Sequence, residues 1–362
     1  MAEARESGRR IFVTGGSGFI GRAVVRHLLA RGDAVTSLVR DRRRGPTETL
    51  EEPAGLTLVR GDTTGPVDLL AERMAGHDGL IHLAGDYRIG IAPSDRPAMF
   101  AANVTATARV LDAAIDAVIP RILTVTTANV HGDTHGQAVD ETYRRDPAEG
   151  YLSWYDETKV RAQELALERI ARGAPILIAM PGAVYGPGDH SAVGEQLAGA
   201  FHGTLRYRSV DRAGTSLIHV DDEADGLIRV LDGGRIGDAY NVGGRTQLLG
   251  EAIALAARLG GRRPPRIAVP PVMLRLMVPI APRLGGRFGL PADLGEVIRA
   301  SDGVTYWVSS AKAERELGFH PRDLETGLRD WLVGEGTAPG SGGTAAHPDR
   351  TTANGDGSAA PG

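Results

Sequence analysis

Apolar residues follow two rhythms along this chain. Short, nearly unbroken apolar runs occur at 11–13, Ala34–Val39, 56–59, 79–83, 121–126 and 175–180, the length and composition of strands covered on both faces. Longer segments with helical spacing lie between them, among them Phe19–Ala30, 99–118 and Trp154–Ala171. Strand and helix alternating in this way predict an α/β fold, a doubly wound parallel sheet with helices on both faces and ligand at the carboxyl ends of its strands. From about Gly182 the pattern is less regular and richer in Gly, Pro and Arg. Short strands at 216–219 and Ala239–Val242, with helices at 221–231 and 248–259, predict a smaller C-terminal substrate domain interleaved with the first, some strands returning to the main sheet. The expected organisation is a flexible N-terminus (1–10), a first domain (11–181), a substrate-side domain (182–333) and a disordered tail (334–362). The tail is almost only Gly, Ala, Ser, Thr, Pro and Asp and cannot bury enough apolar area to order itself.

The first strand runs straight into Thr14-Gly15-Gly16-Ser17-Gly18-Phe19-Ile20-Gly21. Gly15 allows a tight turn out of the strand, Gly18 lets the backbone approach phosphate, and Gly21 lets the new helix pack closely on the sheet. The helix then directs its unpaired N–H groups and positive dipole end at an anion. A strand, this glycine spacing and a helix together predict a Rossmann-type dinucleotide site. Arg40 closes the second strand, where an NAD site usually places Asp or Glu, and Asp41, Arg42, Arg43 and Arg44 follow. Guanidinium groups suit a 2′-phosphate, so the expected cofactor is NADP with NAD left open; the competing reading is a solvated basic loop with Asp41 on the ribose. Asp62, after the third strand, is placed toward the adenine or serves as the turn residue of Gly61-Asp62.

Composition narrows the class. Hydrophobic residues make up 42% and charged residues 24%, and the net charge of -4 gives no reason to expect nucleic acid as a partner. There is no cysteine, which excludes disulfides, thiol catalysis and thiolate metal sites. The first ten residues lack the apolar core of a secretory signal and no long apolar run occurs, so cytoplasmic residence without membrane contact is the expectation. The apolar stretch 272–280 is expected to be a core or subunit-contact helix.

Tyr155-Asp156-Glu157-Thr158-Lys159 places a phenol and an ammonium four residues apart in a predicted helix, hence on one face. A phenol with a free pKa of about 10 transfers protons poorly near neutrality, and a neighbouring cation lowers that value. Lys159 can also bind nicotinamide ribose hydroxyls. Thr127, at the carboxyl end of the predicted strand 121–126, could hold a substrate carbonyl beside the phenol, or merely bond backbone as strand threonines do. His131 and His135 sit in a glycine-containing loop rather than on a helix face, so no metal site is expected.

Taken together these residues resemble an extended short-chain dehydrogenase/reductase, the superfamily that includes the epimerase/dehydratase enzymes and a dihydroflavonol-reductase-like branch. The matching motifs are residues 14–21, Gly61-Asp62, Ile81-His82-Leu83-Ala84-Gly85, Asn103-Val104, Thr127, Tyr155 with Lys159, PGAVYGPG at 181–188, His219-Val220-Asp221-Asp222 and KAERELGF at 312–319. They cover the chain from 11 to about 333 in the family order. The resemblance implies that Thr127, Tyr155 and Lys159 form a catalytic triad and that Asn103 supports the helix carrying it. It implies a cofactor lined by Gly15, Ser17, Gly18, Phe19, Ile20, Gly21, Arg40, Asp62, Thr63, Leu83, Ala84, Gly85, Pro181 and Val184, together with Tyr155 and Lys159.

Departures from the family narrow the chemistry. Sugar-nucleotide dehydratases carry an Asp-Glu pair directly after the catalytic hydroxyl residue, where this chain has Ala128-Asn129. Met180, Ala183 and Thr215-Ser216 stand where sugar-nucleotide members tend to carry Arg and Asn, which weakens a diphosphate substrate. Asp86, Tyr87 and Tyr185 are candidate substrate contacts. The leading expectation is an NAD(P)-dependent oxidoreductase that reduces a ketone or aldehyde with Tyr155 as general acid. A sugar or sugar-nucleotide epimerase with tightly held NAD and a non-catalytic NADP-sensing protein are the rivals. The partner is a small-molecule substrate, with a homodimer left open.

Overall fold

The computed structural model describes residues 8–40, 53–279 and 291–334. Seven strands form one parallel sheet in the order β3-β2-β1-β4-β5-β6-β9. They are β1 (Arg10–Thr14), β2 (Ala34–Val39), β3 (Leu56–Arg60), β4 (Gly79–His82), β5 (Ile122–Val125), β6 (Ile176–Pro181) and β9 (Ala239–Val242). The order reverses at β1, which has β2 on one side and β4 on the other, and this reversal opens the crevice in which doubly wound sheets take ligands.

Strand residues alternate between two cores. Ile11 and Val13 point to the side covered by α1 (Phe19–Ala30) and α7 (Val220–Gly233), where Val24, Leu28, Leu227 and Leu231 are fully buried. Phe12 points the other way, toward α2 (Val67–Met74), α4 (Ala106–Asp116) and α5 (Trp154–Ala171). Each buried Leu, Ile or Val contributes about 1.5–3 kcal/mol, so these two layers hold the crevice rigid.

The sequence boundaries of α1, β2, α5 and β9 agree with the structure residue for residue. The single helix expected at 99–118 differs. Helix α3 (Arg96–Phe100) and α4 are joined by a π-helical turn at Ala101–Thr105, and the chain leaves helical geometry before Val118, which has φ 56°. The turn carries Asn103, whose side chain bonds in three directions, described below.

Of the later strands among the described residues, only β9 returns to the main sheet. The strand expected at 216–219 is β8 (Gly214–His219), the centre of a second sheet with β7 (Ala183–Tyr185), β10 (Thr246–Leu248) and β11 (Thr305–Tyr306). Helices α6 (Ala192–His202) and α8 (Leu249–Leu259) enclose a third core with Leu217, Tyr185, Leu328 and Trp331. The stretch expected to be a core or subunit-contact helix forms Pro271–Met277, with Leu274 packed on Leu294 and Ile298. Val272, Met273 and Leu276 face outward at 62%, 57% and 71% exposure, so it is not a core helix. No helix among the described residues is long and apolar enough to cross a membrane.

Candidate active site

The glycine turn, residues 83–87 and Thr127 follow the carboxyl ends of β1, β4 and β5, while Tyr155 and Lys159 come from α5 and Asn103 from the π-helical turn. The glycine turn is shaped as a cradle. Gly15 has φ 76°, and a Cβ there would lie 2.6 Å from the Ala84 nitrogen. A Cβ on Gly21 would lie 2.0 Å from the Gly15 carbonyl oxygen, while Gly18 has only that oxygen nearby, at 3.2 Å. Helix α1 starts after Gly18 with no side-chain cap, so its first N–H groups stay available to an anion. These features fit a dinucleotide pyrophosphate. Ser17 is exposed at the mouth of the turn, and Phe19, Ile20, Leu83 and Val184 lie half-buried on the rim of one core.

On the adenine side, Asp62 accepts from the Thr64 N–H at 2.7 Å and from its hydroxyl at 2.6 Å. These bonds hold its carboxyl below the usual range, and Arg40 adds a smaller pull in the same sense. One carboxylate oxygen of Asp62 is therefore committed to its own turn. Thr63 is half-buried beside it, and Arg40 is exposed at the end of β2. Asp41, Arg42, Arg43 and Arg44 lie outside the described residues, as does the tail at 335–362.

The loop after β4 is tied to the catalytic helix by Asn103. Its Oδ1 accepts from the Asp86 N–H at 2.7 Å, and its Nδ2 donates to the Asp86 carbonyl and to the Thr158 hydroxyl, both at 2.9 Å. Gly85 leaves room for this, since a Cβ there would stand 3.0 Å from the Asn103 oxygen. Leu83 donates its N–H to the Thr14 carbonyl, which fixes the first residue past the strand. His82 is buried between the Thr14 and Thr107 hydroxyls at 2.7 and 3.1 Å; burial, with a smaller contribution from Lys159, drives its pKa to about 3 and keeps it neutral.

Helix α5 begins at Ser153, whose hydroxyl accepts from the Asp156 N–H at 3.0 Å. Tyr155 is buried at 7% exposure, close enough to Thr127 for that hydroxyl to influence its pKa, and the Tyr87 ring stands edge-on to it at 4.9 Å. Lys159 donates to the Val125 carbonyl at 3.0 Å. The acidified phenol expected from the Tyr-Lys spacing is not found. Burial raises the Tyr155 pKa, and the Thr127 hydroxyl pulls it only partly back. Lys159 spends a bond on backbone, and burial lowers its own pKa to about 8, which leaves it largely protonated at pH 7.

Not every candidate converges. Asp86 is held by Arg88 at 2.5–3.2 Å near the site. Tyr185 is placed in the third core at 1% exposure, its ring against His219 and Trp331 and its hydroxyl over Gly327. It therefore offers the crevice no free surface. Pro181 ends β6 and pairs with Val242. His131 meets Asn241 at 3.2 Å while His135 meets Glu149 at 3.0 Å, and no metal-sized cluster occurs among the described residues.

Three residues escaped the sequence reading. Asn129 and Asp156 bond to each other beside Thr127. Glu296 reaches over from the C-terminal helix Leu294–Arg299, accepting from the Trp154 N–H at 3.0 Å and from the Gly90 N–H at 3.4 Å. Arg96 stands 3.7 Å from its other oxygen and lies over the Trp154 ring at 5.4 Å. One carboxylate thereby fastens the start of the catalytic helix to the loop that carries Tyr87. The available signal was a glutamate set among apolar neighbours in Leu294-Gly295-Glu296-Val297-Ile298. Glu296→Ala is expected to lower unfolding free energy by about 1–3 kcal/mol because the Trp154 N–H loses its acceptor, to be read as a lowered urea midpoint.

Comparison with known proteins agrees with this geometry. Residues 11–243 match the family model described as NAD dependent epimerase/dehydratase family. A Synechocystis sp. protein, which its name proposes as a dihydroflavonol 4-reductase, is 30% identical over 347 residues, 90% of this chain and 95% of the relative. A Stigmatella aurantiaca protein named 4-hydroxy-2-methyl-3-oxo-4-farnesyl-3,4-dihydroquinoline-1-oxide ketoreductase is 34% identical over 64% of this chain and 67% of its own. The crystal structure of gox2253 superposes with a TM-score of 0.75 at 28% identity, covering 90% of this chain and 97% of that one. The chain belongs to the NAD-dependent epimerase/dehydratase family and is an enzyme of the extended short-chain dehydrogenase/reductase type.

Proposed function

We propose that this enzyme reduces a ketone or aldehyde, with Tyr155 as the general acid and Thr127 orienting the reacting oxygen. The observation that carries the reading is the burial of both the Tyr155 phenol and Thr127 beyond the carboxyl end of β5, close enough for the Thr127 hydroxyl to pull on the phenol's pKa. When bound, the nicotinamide supplies a hydride to the carbonyl carbon. Tyr155 gives its proton to the carbonyl oxygen, so the product is the alcohol. A phenol held neutral by burial is in the protonation state this direction needs. Lys159, protonated at pH 7 and anchored on Val125, keeps a positive charge on the same helix face. The names of two relatives, a 4-reductase and a ketoreductase, support the direction. Consumption of NADPH with a panel of apolar ketones and aldehydes is the test. A panel without turnover, combined with NAD that copurifies and is not consumed, would favour the epimerase reading instead.

The same reading assigns Arg40 to the 2′-phosphate of NADP, on the grounds that it ends β2 exposed and next to Asp62. Arg40→Asp is expected to weaken NADPH binding about tenfold or more, by removing a charge-assisted bond, and to leave NADH within about twofold. Titration of both cofactors by fluorescence checks it; equal losses for the two would remove Arg40 from the phosphate.

A further inference from the structure

Asp156 follows the predicted proton donor in sequence, yet its side chain turns away from solvent into the turn that carries Thr127. It is 2% exposed. Its Oδ1 accepts from Asn129 Nδ2 at 2.9 Å, and its Oδ2 is buried with no hydrogen-bond partner. Asn129 in turn contacts Thr127 twice at 3.3 Å: its backbone N–H donates to the Thr127 hydroxyl oxygen, and its Oδ1 accepts the hydroxyl hydrogen. An asparagine amide can face either way, and a neighbour that only accepts decides which. A carboxylate fixes the NH2 on its own side, so the amide oxygen must face Thr127. The geometry points to Asp156 as a positioning residue for Thr127, acting through the Asn129 side-chain amide.

The consequence is a defined rotor. With the amide fixed, the Thr127 hydrogen rests on Asn129, and the remaining lone pair of its oxygen is left for the Tyr155 side. At 3.3 Å this resting bond is long compared with the 2.7–2.8 Å of a good O–H···O bond, so a substrate oxygen can displace it. Without the charge the amide can reverse, its NH2 then competes for the Thr127 oxygen, and part of the population presents the wrong arrangement. The groups facing Asp156 come from every element packed around it. They are Asn129 from the turn after β5, Ser153 at the helix start, Tyr155 on the same helix, Tyr87 from the loop after β4, Glu296 from the C-terminal helix and Tyr306 from β11. Burial is the largest influence and raises the Asp156 pKa to about 6, with Glu296 adding to it and the Asn129 and Ser153 bonds opposing it. The carboxylate exists above that pH and is lost as pH falls through it. The switch therefore lies within reach of ordinary titration.

The effect on Thr127 rests on the proposed reductase chemistry, whereas the Asp156–Asn129 link does not, and the experiment separates them. The chain has four asparagines, at 103, 129, 241 and 354, so full-length protein labelled with 15N only at asparagine gives four side-chain amide pairs, and Asn129→Ser identifies the one of interest. Between pH 5 and 8 the Asn129 amide signals are expected to move with one midpoint near pH 6, and Asp156→Asn is expected to leave them still. In steady-state assays with NADPH and any ketone the wild type turns over, kcat is expected to fall on the acid side with the same midpoint. Asp156→Asn is expected to remove that limb and lower kcat about tenfold at pH 7.5, with KM within about twofold. An Asn129 amide that does not move with pH overturns the link without any variant. A limb that survives in Asp156→Asn overturns the action on Thr127. An amide that titrates in a protein that reduces no ketone supports the link and counts against the reductase reading alone.

Discussion

Tyr155→Phe is expected to lower kcat for ketone reduction by about 100- to 10,000-fold, the usual range for loss of a positioned general acid. The substitution removes one oxygen and leaves the ring, which keeps its edge-on contact with Tyr87 at 4.9 Å and its place under Met99 and Ile91. Folding and cofactor binding are therefore expected to be unchanged, and this separates a chemical loss from a structural one. The hydroxyl removed lies near Thr127, the group proposed to orient the substrate, and Thr127 keeps its contacts with Asn129. Single-turnover mixing with NADPH reads the chemical step directly. A Phe variant retaining more than a tenth of wild-type kcat would take proton donation away from Tyr155.

The second large effect is expected from Gly21→Ala. The added Cβ would come within 2.0 Å of the Gly15 carbonyl oxygen and 2.8 Å of Gly16 Cα, both backbone atoms that no side-chain rotation can move aside. Helix α1 must then shift away from the turn. Overpacking of this kind costs about 1–3 kcal/mol, and a displaced helix start no longer aims its free N–H groups at a pyrophosphate. A melting temperature lowered by several degrees together with loss of measurable NADPH binding is the expected result. Gly18→Ala is the control, since its Cβ would meet only the Gly15 oxygen, at 3.2 Å, and is expected to spare stability while weakening the cofactor. Equal binding by all three proteins would show that this turn does not carry the phosphates.

Much of the fold was legible because its central strands, β4, β5 and β6, are buried on both sides. A continuous apolar run such as Ile176–Pro181 has one structural meaning when helical segments flank it, and the glycines at 15, 18 and 21 fixed where α1 starts. The second sheet was legible only in its central strand, β8. Strands β7 and β10 are three residues long and β11 two, too short for any periodicity, and they are assembled by pairing with β8 rather than by local preference. Tyr185 illustrates the limit at the level of one residue. Its neighbours Gly186 and Pro187 mark a loop, yet the ring is claimed by Trp331 and Leu328, far along the chain.

The site divides in the same way. Thr127, Tyr155 and Lys159 could be found by spacing and strand position, and Asn103 by the resemblance to the family. Asn129, Asp156 and Glu296 belong to no motif spacing, since each acts across contacts of 27 to 206 positions, and only Glu296 carried a local signal in its apolar neighbours. The phenol shows why spacing alone misjudges electrostatics. Four residues on a helix bring Tyr155 and Lys159 to one face, but burial is the largest influence on each and moves the phenol up and the ammonium down.

Strand β9 has a consequence for how the polypeptide is made. It supplies the seventh position of the main sheet, beside β6, although the chain between them builds β7, α6, β8 and α7 first. During synthesis, Ile178 to Pro181 must wait with open backbone donors and acceptors until Val242 has left the ribosome. A nascent chain stalled in that interval presents an adhesive border to its neighbours. Fragments truncated after Pro181 are accordingly expected to gather in the insoluble fraction, and fragments extended past Val242 to be recovered more readily.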